Sequence, residues 1–523
     1  MSSDPVRITT KDSLPVRMGR GGAALGLASA ALAMLAVCGC TSSHYKRSAD
    51  REVYGIIQNA QKGALGRTNG FTIDTPFSQR KPAEIFPVAL IDSRRQTNHR
   101  VLGIEAALAL AVKTSREYQA AKEALYRAGL SLSSVRYQYK PILDAGGTPI
   151  KIEDGVWSSA GGAKFSFSQL LRTGGKVGVN LANDLFRYYT GNPQESVVNT
   201  LSVDVVQPIL RGFGRNSPEL ETLTQAERDV VYAVRTFSFF QEQFALNVVN
   251  EYFRLLQQKD SIRNSYTNYL RRVESTRRLE ARAKDREPVS QVDQARQAEL
   301  TAKNSYVDSI ARYLNSLDDF KFRLGLPLGD TLVLDDQALD ELERTGLIPT
   351  AVEADTAYRV AVQKRLPVLN AIDRFEDSKR KVRIAADQLR TQLDAFANAR
   401  YAWDSTDDYA KFEVDKIQYQ AGLQLNLPFD RLRQRNAYRS ALISFEAELR
   451  TLEATLDGLK SEIESGLRTL RQRRANFEIQ TKALELANRR VDSTTLLLKA
   501  GRVEVRDLND ALDAQVASED EVI

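Results

Sequence analysis

Between Leu449 and Leu498 every seventh residue is apolar: Leu449, Leu456, Ile463, Leu470, Phe477, Leu484, Val491 and Leu498. A straight α-helix rotates such a stripe away by roughly 20° per heptad, so a period held this long requires a partner about which the helix supercoils. The pattern predicts one helix from Arg431 to Ala500, roughly 100 Å long at 1.5 Å per residue. A looser stripe, Phe244, Val248, Tyr252, Leu255, Ile262, Tyr266, Tyr269 and Val273, predicts a companion from Ser217 to Lys284. Shorter Ala- and Leu-rich helices are expected at Ile104 to Tyr139, stopped by Pro141, and at Tyr358 to Leu393, with Pro367 near its start.

Other segments alternate with period two. Ala163 to Gln169 and Lys176 to Leu181 flank Thr173-Gly174-Gly175, which reads as a hairpin. Leu201 to Val206 ends at Gln207-Pro208, and Tyr419 to Leu427 ends at Pro428. Such strands suit a barrel with one face to lipid and one to a lumen. They suit an ordinary half-buried sheet equally well.

The order helix, strands, long helix, turn, helix is read twice. Pro208 and Asn216 recur 220 positions on as Pro428 and Asn436, and Ala283 recurs 217 positions on as Ala500. A period this long marks one ancestral unit copied once, not a solenoid. The expected organisation is an N-terminal address (1–39), a polar extension (40–100), a first repeat (101–325), a connecting segment (326–355) and a second repeat (356–523). The repeats differ in two ways. The first carries an extra hairpin at about 162–188. The helix after the second turn spans only Ala511 to Ile523, against Ala295 to Gly325 in the first, so a C-terminally truncated second repeat is expected.

At the N-terminus, Arg17 and Arg20 precede an apolar run from Gly21 to Val37 that closes with Val37-Cys38-Gly39-Cys40. This reads as a lipoprotein signal peptide, with Cys40 as the lipid acceptor. Cys38 and Cys40 are the only cysteines, which leaves the mature chain without a disulfide framework. No other segment has 18 consecutive apolar residues, so any membrane crossing must be a closed β-barrel.

Composition narrows the chemistry. There are 73 Lys and Arg against 67 Asp and Glu, a mixed surface of net charge +6 without an aromatic-interleaved basic motif, which argues against nucleic acid. With His44 and His99 the only histidines, neither a His-based triad nor a His-rich metal site is available. No Gly-rich phosphate loop or activated nucleophile occurs. The expectation is a non-enzyme with no catalytic residue, metal or cofactor.

Two junctions are more specific. Val206-Gln207-Pro208-Ile209-Leu210-Arg211-Gly212-Phe213-Gly214-Arg215 resembles the strand-to-helix junction of the TolC-like outer-membrane efflux-channel family, and Leu425-Asn426-Leu427-Pro428-Phe429 resembles its shorter second form. Proline lacks the N–H that would continue the ladder, and Gly212 and Gly214 let the chain turn. Ala500 to Ala511 and Arg286 to Ala295 resemble the family's two hairpin tips. The resemblance implies a mainly α fold with β: long coiled-coil helices forming an α-barrel, strands forming a membrane β-barrel, two repeats and a homotrimer. It implies a passive outer-membrane duct of a tripartite efflux or type I secretion system, lipid-anchored at Cys40. Its partners would be a periplasmic adaptor and, indirectly, an inner-membrane pump.

It further implies adaptor-contact tips at Pro288, Val289, Gly501, Arg502 and Val503. The periplasmic aperture would be lined by Asp507 and Asp510 from one tip and Ser290, Gln291 and Asp293 from the other. Gln291 stands where the family has an acid, with Asp293 two residues on. The extra hairpin implies four to six strands per protomer instead of the family's four. A lipid-anchored periplasmic coiled-coil scaffold, with its sheet packed in a soluble domain, stays open as the alternative.

Overall fold

The computed structural model describes residues 41–153, 156–188, 195–283, 288–349, 351–403 and 414–522. The signal segment 1–39, the acceptor Cys40, and Arg286 and Glu287 of the first tip lie outside the described residues. The chain divides into two units at Gly55. The described part of the first unit, residues 41–55, is helical from Ser42 onward. That helix, α1 (Ser42–Leu65), continues into the second unit, which contains everything else.

The extension expected to be merely polar is thus largely helical. Ile56 and Ala60, four residues apart on one face, pack with Leu132, Leu223 and Val230. After α2 (Pro87–Arg95) comes the short strand β1 (His99–Leu102).

The helix expected over Ile104 to Tyr139 is two helices, α3 (Ile104–Thr114) and α4 (Arg116–Tyr137). Ser115 between them is extended (φ −65°, ψ 130°), and its Oγ accepts from the Tyr118 N–H at 3.5 Å as an N-cap. Four strands follow: β2 (Ile142–Glu153), β3 (Val156–Leu170), β4 (Lys176–Tyr188) and β5 (Glu195–Pro208). Then come α5 (Pro218–Ala283) and α6 (Val289–Leu324), the first long hairpin. α5 opens with Pro218 behind the buried Ser217, whose Oγ receives the Leu220 N–H at 3.4 Å.

The connecting segment contributes β6 (Thr331–Leu334) and α7 (Gln337–Thr345). The second repeat supplies α8 (Ala354–Lys364) and α9 (Leu366–Asp387), split at Arg365 as the first was at Ser115. The helix expected to reach Leu393 stops at Asp387 because Gln392 already belongs to a strand. β7 (Gln392–Trp403), β8 (Ile417–Asn426), α10 (Leu432–Lys499) and α11 (Val505–Val522) complete the chain. The two long helices end within a residue or two of the bounds that the apolar stripes predicted.

β1 and β6 pair in parallel from His99 opposite Thr331 to Leu102 opposite Leu334, and α5 is tied to them through Tyr252. The buried Tyr252 of α5 donates to the Leu102 and Asp335 carbonyls at 3.1 and 2.8 Å. Asp330, also buried, accepts from the Asn98 N–H at 2.9 Å and from Arg100 at 3.2 Å. α6 ends on Gly325 at φ 76°, where a Cβ would lie 2.2 Å from the Thr114 carbonyl oxygen. Only glycine closes this helix end against α3.

The second sheet has six strands in the order β2-β3-β4-β5-β7-β8, every pair antiparallel. The β5–β7 pair joins one repeat to the other. Among the described residues this sheet has six strands.

Candidate channel wall and tips

A strand turns alternate residues to opposite faces, so the sheet's register decides what each face becomes. Leu143, Phe167, Val179, Val203, Ala399 and Tyr419 stand opposite one another across all six strands. Two positions along lies a second such row, Ala145, Phe165, Leu181, Leu201, Tyr401 and Ile417. Between these rows, on the other face, run Asp144, Ser166, Asn180, Ser202, Arg400 and Gln418.

These two rows are apolar from edge to edge and the row between them is polar, although Val206 and Phe396 stand on the polar row's face and Asn199 on the apolar one. The apolar face is partly bare: Leu143 is 79% exposed, Phe165 47% and Tyr419 86%, the middle of the rows is half-buried, and Tyr401 is buried. An exposed apolar surface of this kind marks a contact with lipid or with another protein. On the polar face, Asp204 accepts from Asn180 and Ser202 at 3.5 and 3.3 Å and from Asn398. Asp394 accepts from Gln392 at 2.7 Å. This face holds its polar groups in mutual hydrogen bonds, as a wetted wall does.

At the helical end of the sheet the ladder stops at the expected prolines. The Ile209 N–H makes a last bond to the Leu393 carbonyl at 2.8 Å, just beyond Pro208. Gly212 and Gly214 then turn with φ 77° and 58°. The buried Asp387, at the end of α9, receives the Gly212 N–H at 2.8 Å and Asn216 Nδ2 at 3.1 Å. The second repeat thus caps the first repeat's turn. Beyond Pro428 the solution differs: Asp430 accepts the Leu432 N–H at 2.8 Å, and Arg431 reaches the Leu389 carbonyl at 2.7 Å. Sequence reasoning found both prolines and both glycines but missed Asp387 and Arg431.

A second cluster it missed lies between α5 and α9. Asp377, 2% exposed, accepts from Arg228 at 2.5 Å, Arg380 at 2.6 Å and the Tyr232 hydroxyl at 2.6 Å. Asp373 holds Arg228 and Arg235, and Arg380 also reaches Glu221 at 3.1 Å. Burial, with the hydrogen bond to Asp377 behind it, pushes the Tyr232 hydroxyl far above the usual tyrosine range. The cluster clamps the two repeats together.

At the opposite end of the long helices lie the tips. α10 ends at Lys499 with Ala500 as its cap, Gly501 takes φ 69°, and the N–H groups of Gly501 and Arg502 return to the Leu498 and Leu497 carbonyls at 3.1 and 3.0 Å. This is a Schellman closure. Asp507 caps α11 by accepting the Glu504 N–H at 3.1 Å. Asp510 is exposed and has neither an ion pair nor a side-chain hydrogen bond among the described residues. In the other tip Pro288 precedes α6, Val289 is 72% exposed, Ser290 and Asp293 are exposed, and Gln291 is half-buried.

The two tips adjoin each other. Leu279, Ala295 and Val505 share a core with Val292 and Leu498. The buried Arg272 of α5 holds Asp513 and Asn509 of α11 at 2.5 and 3.2 Å. Among the described residues no group of three metal-ligating side chains occurs, and no helix is long and apolar enough to cross a membrane.

This geometry recurs in solved structures. The Vibrio cholerae outer membrane protein VceC matches with TM-score 0.58 at 14% identity, over 80% of this chain and 91% of its own. CusC matches with TM-score 0.58 at 12% identity, over 80% and 87%. The Campylobacter jejuni outer membrane channel CmeC matches with TM-score 0.57 at 12% identity, over 80% and 81%. The fold is that of the TolC-like outer-membrane channels. No known family's sequence profile matches the chain, and neither does any curated protein.

Proposed function

We propose that the chain is the outer-membrane channel of a tripartite efflux or type I secretion system, a passive duct without a catalytic site. The observation that carries this reading is the six-stranded sheet, with two rows apolar across all six strands on one face, a polar row between them on the other, and both edges open. In lipid each unpaired backbone group on a strand edge costs several kcal/mol, so the sheet is stable there only when further chains close it into a barrel. Three chains do so, by analogy with the family. The long helices then continue the duct through the periplasm, and the lipid on Cys40 anchors the N-terminus.

In this reading the tips meet a periplasmic adaptor through Pro288, Val289, Gly501, Arg502 and Val503. The closed aperture is set by Asp507 and Asp510, with Ser290, Gln291 and Asp293 from the neighbouring tip. Energy comes from an inner-membrane pump reached through that adaptor. The similar proteins VceC and CmeC are outer-membrane proteins, and the partly bare apolar face is what supports the same location here.

The test uses a Cys40→Ala chain secreted behind a conventional cleavable signal. A channel stays in the membrane through an alkaline wash and gives discrete conductance steps in a planar bilayer. A lipid-anchored scaffold comes off in the wash and gives none, and that outcome would overturn the proposal.

A further inference from the structure

The surplus positive charge of the chain collects where the sheet meets the helices. We propose that this junction is a binding belt for anionic phospholipids of the leaflet that faces the long helices, with its arginines taking the lipid phosphates. This rests on the channel reading and adds to it a lipid class and the residues that select it.

Five segments lie at the helical end of the sheet: 137–141 between α4 and β2, 169–176 between β3 and β4, 207–217 between β5 and α5, 388–392 between α9 and β7, and 427–436 between β8 and α10. Together they hold nine Lys and Arg and a single acid, Asp430. The whole chain has a net charge of +6, so these segments carry all of the excess and the remainder is close to neutral. The turn 169–176 belongs to the same level as the rest. The Gly214 N–H donates to the Thr173 carbonyl at 3.0 Å, and a Cβ on Gly174 would stand 2.7 Å from the Gly212 carbonyl oxygen. Like charges gathered at one level repel one another, and an anionic surface relieves that repulsion.

Part of this charge is used within the chain. Arg390 holds the buried Asp387 at 3.2 Å, and Arg431 reaches the Leu389 carbonyl at 2.7 Å. Arg172, Arg211, Arg215 and Arg433 have neither an ion pair nor a side-chain hydrogen bond among the described residues, and all but the half-buried Arg211 are exposed. The neighbouring acids are engaged elsewhere. Glu219 accepts the Ser217 hydroxyl at 2.7 Å, Asp394 accepts from Gln392 at 2.7 Å, and Asp430 accepts the Leu432 N–H at 2.8 Å. A guanidinium left in this way presents a fork of N–H groups that matches two phosphate oxygens.

The apolar face of the sheet leads directly to these arginines. On β8 it runs through Leu423 and Leu425 and continues in phase through Leu427 to Phe429, which is fully exposed. On β5 it passes Val203, Val205 and Gln207 to Ile209, whose N–H makes the ladder's last bond. Arg211 and the exposed Phe213 follow at once. A lipid with its acyl chains on the apolar face therefore has its phosphate among the arginines, with Phe213 and Phe429 at the level where aromatic rings meet headgroups. Lys176 differs: it pairs with Val206, in phase with the polar face, and serves as a control.

The test titrates the assembled, detergent-solubilised protein with phosphatidylglycerol or with phosphatidylcholine of the same acyl chains, and native mass spectrometry counts the bound lipids. The parent should bind phosphatidylglycerol at least about tenfold more tightly in dilute ammonium acetate. Most of that preference should disappear at about 0.5 M salt, where exposed charges are screened. A chain carrying Arg172→Gln, Arg211→Gln, Arg215→Gln and Arg433→Gln should bind the two lipids alike. The same four positions changed to Lys, and Lys176→Gln alone, should keep the preference. Equal affinity of the parent for the two lipids overturns the proposal, and this comparison decides even where the Arg→Gln chain fails to assemble. An assembled Arg→Gln chain that keeps the preference overturns it too. Inorganic phosphate at constant ionic strength should leave the lipid in place; displacement marks a general anion site and overturns the belt. In a planar phosphatidylcholine bilayer the Arg→Gln chain should match the parent's conductance steps and ion selectivity. A changed selectivity puts the arginines in the lumen, which overturns the belt and leaves the channel reading intact. No steps from the parent overturn the channel reading itself.

Discussion

Asp377→Ala tests what holds the repeats together. The carboxylate is 2% exposed and accepts two guanidinium groups and one hydroxyl, at 2.5, 2.6 and 2.6 Å. Removing one partner of a buried ion pair typically costs about 3 to 5 kcal/mol, because the other charge is left buried and unpaired. Here the lower end applies, since Arg228 keeps Asp373 and Arg380 keeps Glu221. A cost of about 3 kcal/mol raises the opening constant of the α5–α9 contact on the order of a hundredfold. Local opening is read by native-state hydrogen exchange with mass spectrometry, on peptides from α9 and from residues 220–240 of α5. Their slow amides should exchange on the order of a hundredfold faster, with the tip peptides unchanged. Asp373→Ala, whose side chain is 31% exposed, should move them only a few-fold. Exchange within about three-fold of the parent in Asp377→Ala would refute the clamp.

Gly325→Ala should abolish accumulation of folded protein, because the new methyl meets the Thr114 carbonyl at 2.2 Å in a left-handed backbone. Gly501→Ala, left-handed too but with nothing within 4 Å of the new Cβ, should cost only about 1 to 2 kcal/mol, read as a small shift in thermal denaturation. Asp510→Ala should raise the leakage of large antibiotics while leaving the amount of assembled protein unchanged. Adding Asp507→Ala should raise leakage further and also loosen α11 by about 1 kcal/mol, through loss of its cap. Unchanged permeability would remove both acids from the gate. Burial raises the Glu519 carboxyl above its ordinary value, ahead of the opposing pull of Arg271 and the push of Asp520. A carboxyl that binds its proton more tightly when folded favours the folded form in acid. That contribution is lost as pH rises from the ordinary glutamate range through the raised value. Glu519→Gln should therefore slow hydrogen exchange in α11 at neutral pH and leave it unchanged at pH 3.

The chain's own pattern determined the two long helices almost to the residue, because a heptad stripe is a local, repeated signal and each turn of helix adds to it. The strand-ending prolines and the Gly501 turn were legible for the same reason: a missing N–H or a left-handed φ is a property of one residue. β7 was hidden because its wall face is mostly alanine, at Ala395, Ala397 and Ala399, which reads as helix until a neighbouring strand supplies the ladder. The breaks at Ser115 and Arg365 carry no interruption of the apolar pattern.

What tertiary structure decided was everything that depends on partners far apart in sequence. β1 and β6 are four residues each and exist only as a pair about 230 positions apart. Asp377 and Asp387 look like surface acids until α5 and the Gly212 turn close over them. Above all, the register across six strands sorted alternating residues that suited either a barrel or a packed sheet. It aligned them into apolar rows on one face and a polar row on the other, because hydrogen bonds between strands, unlike periodicity within one, fix which residues stand side by side.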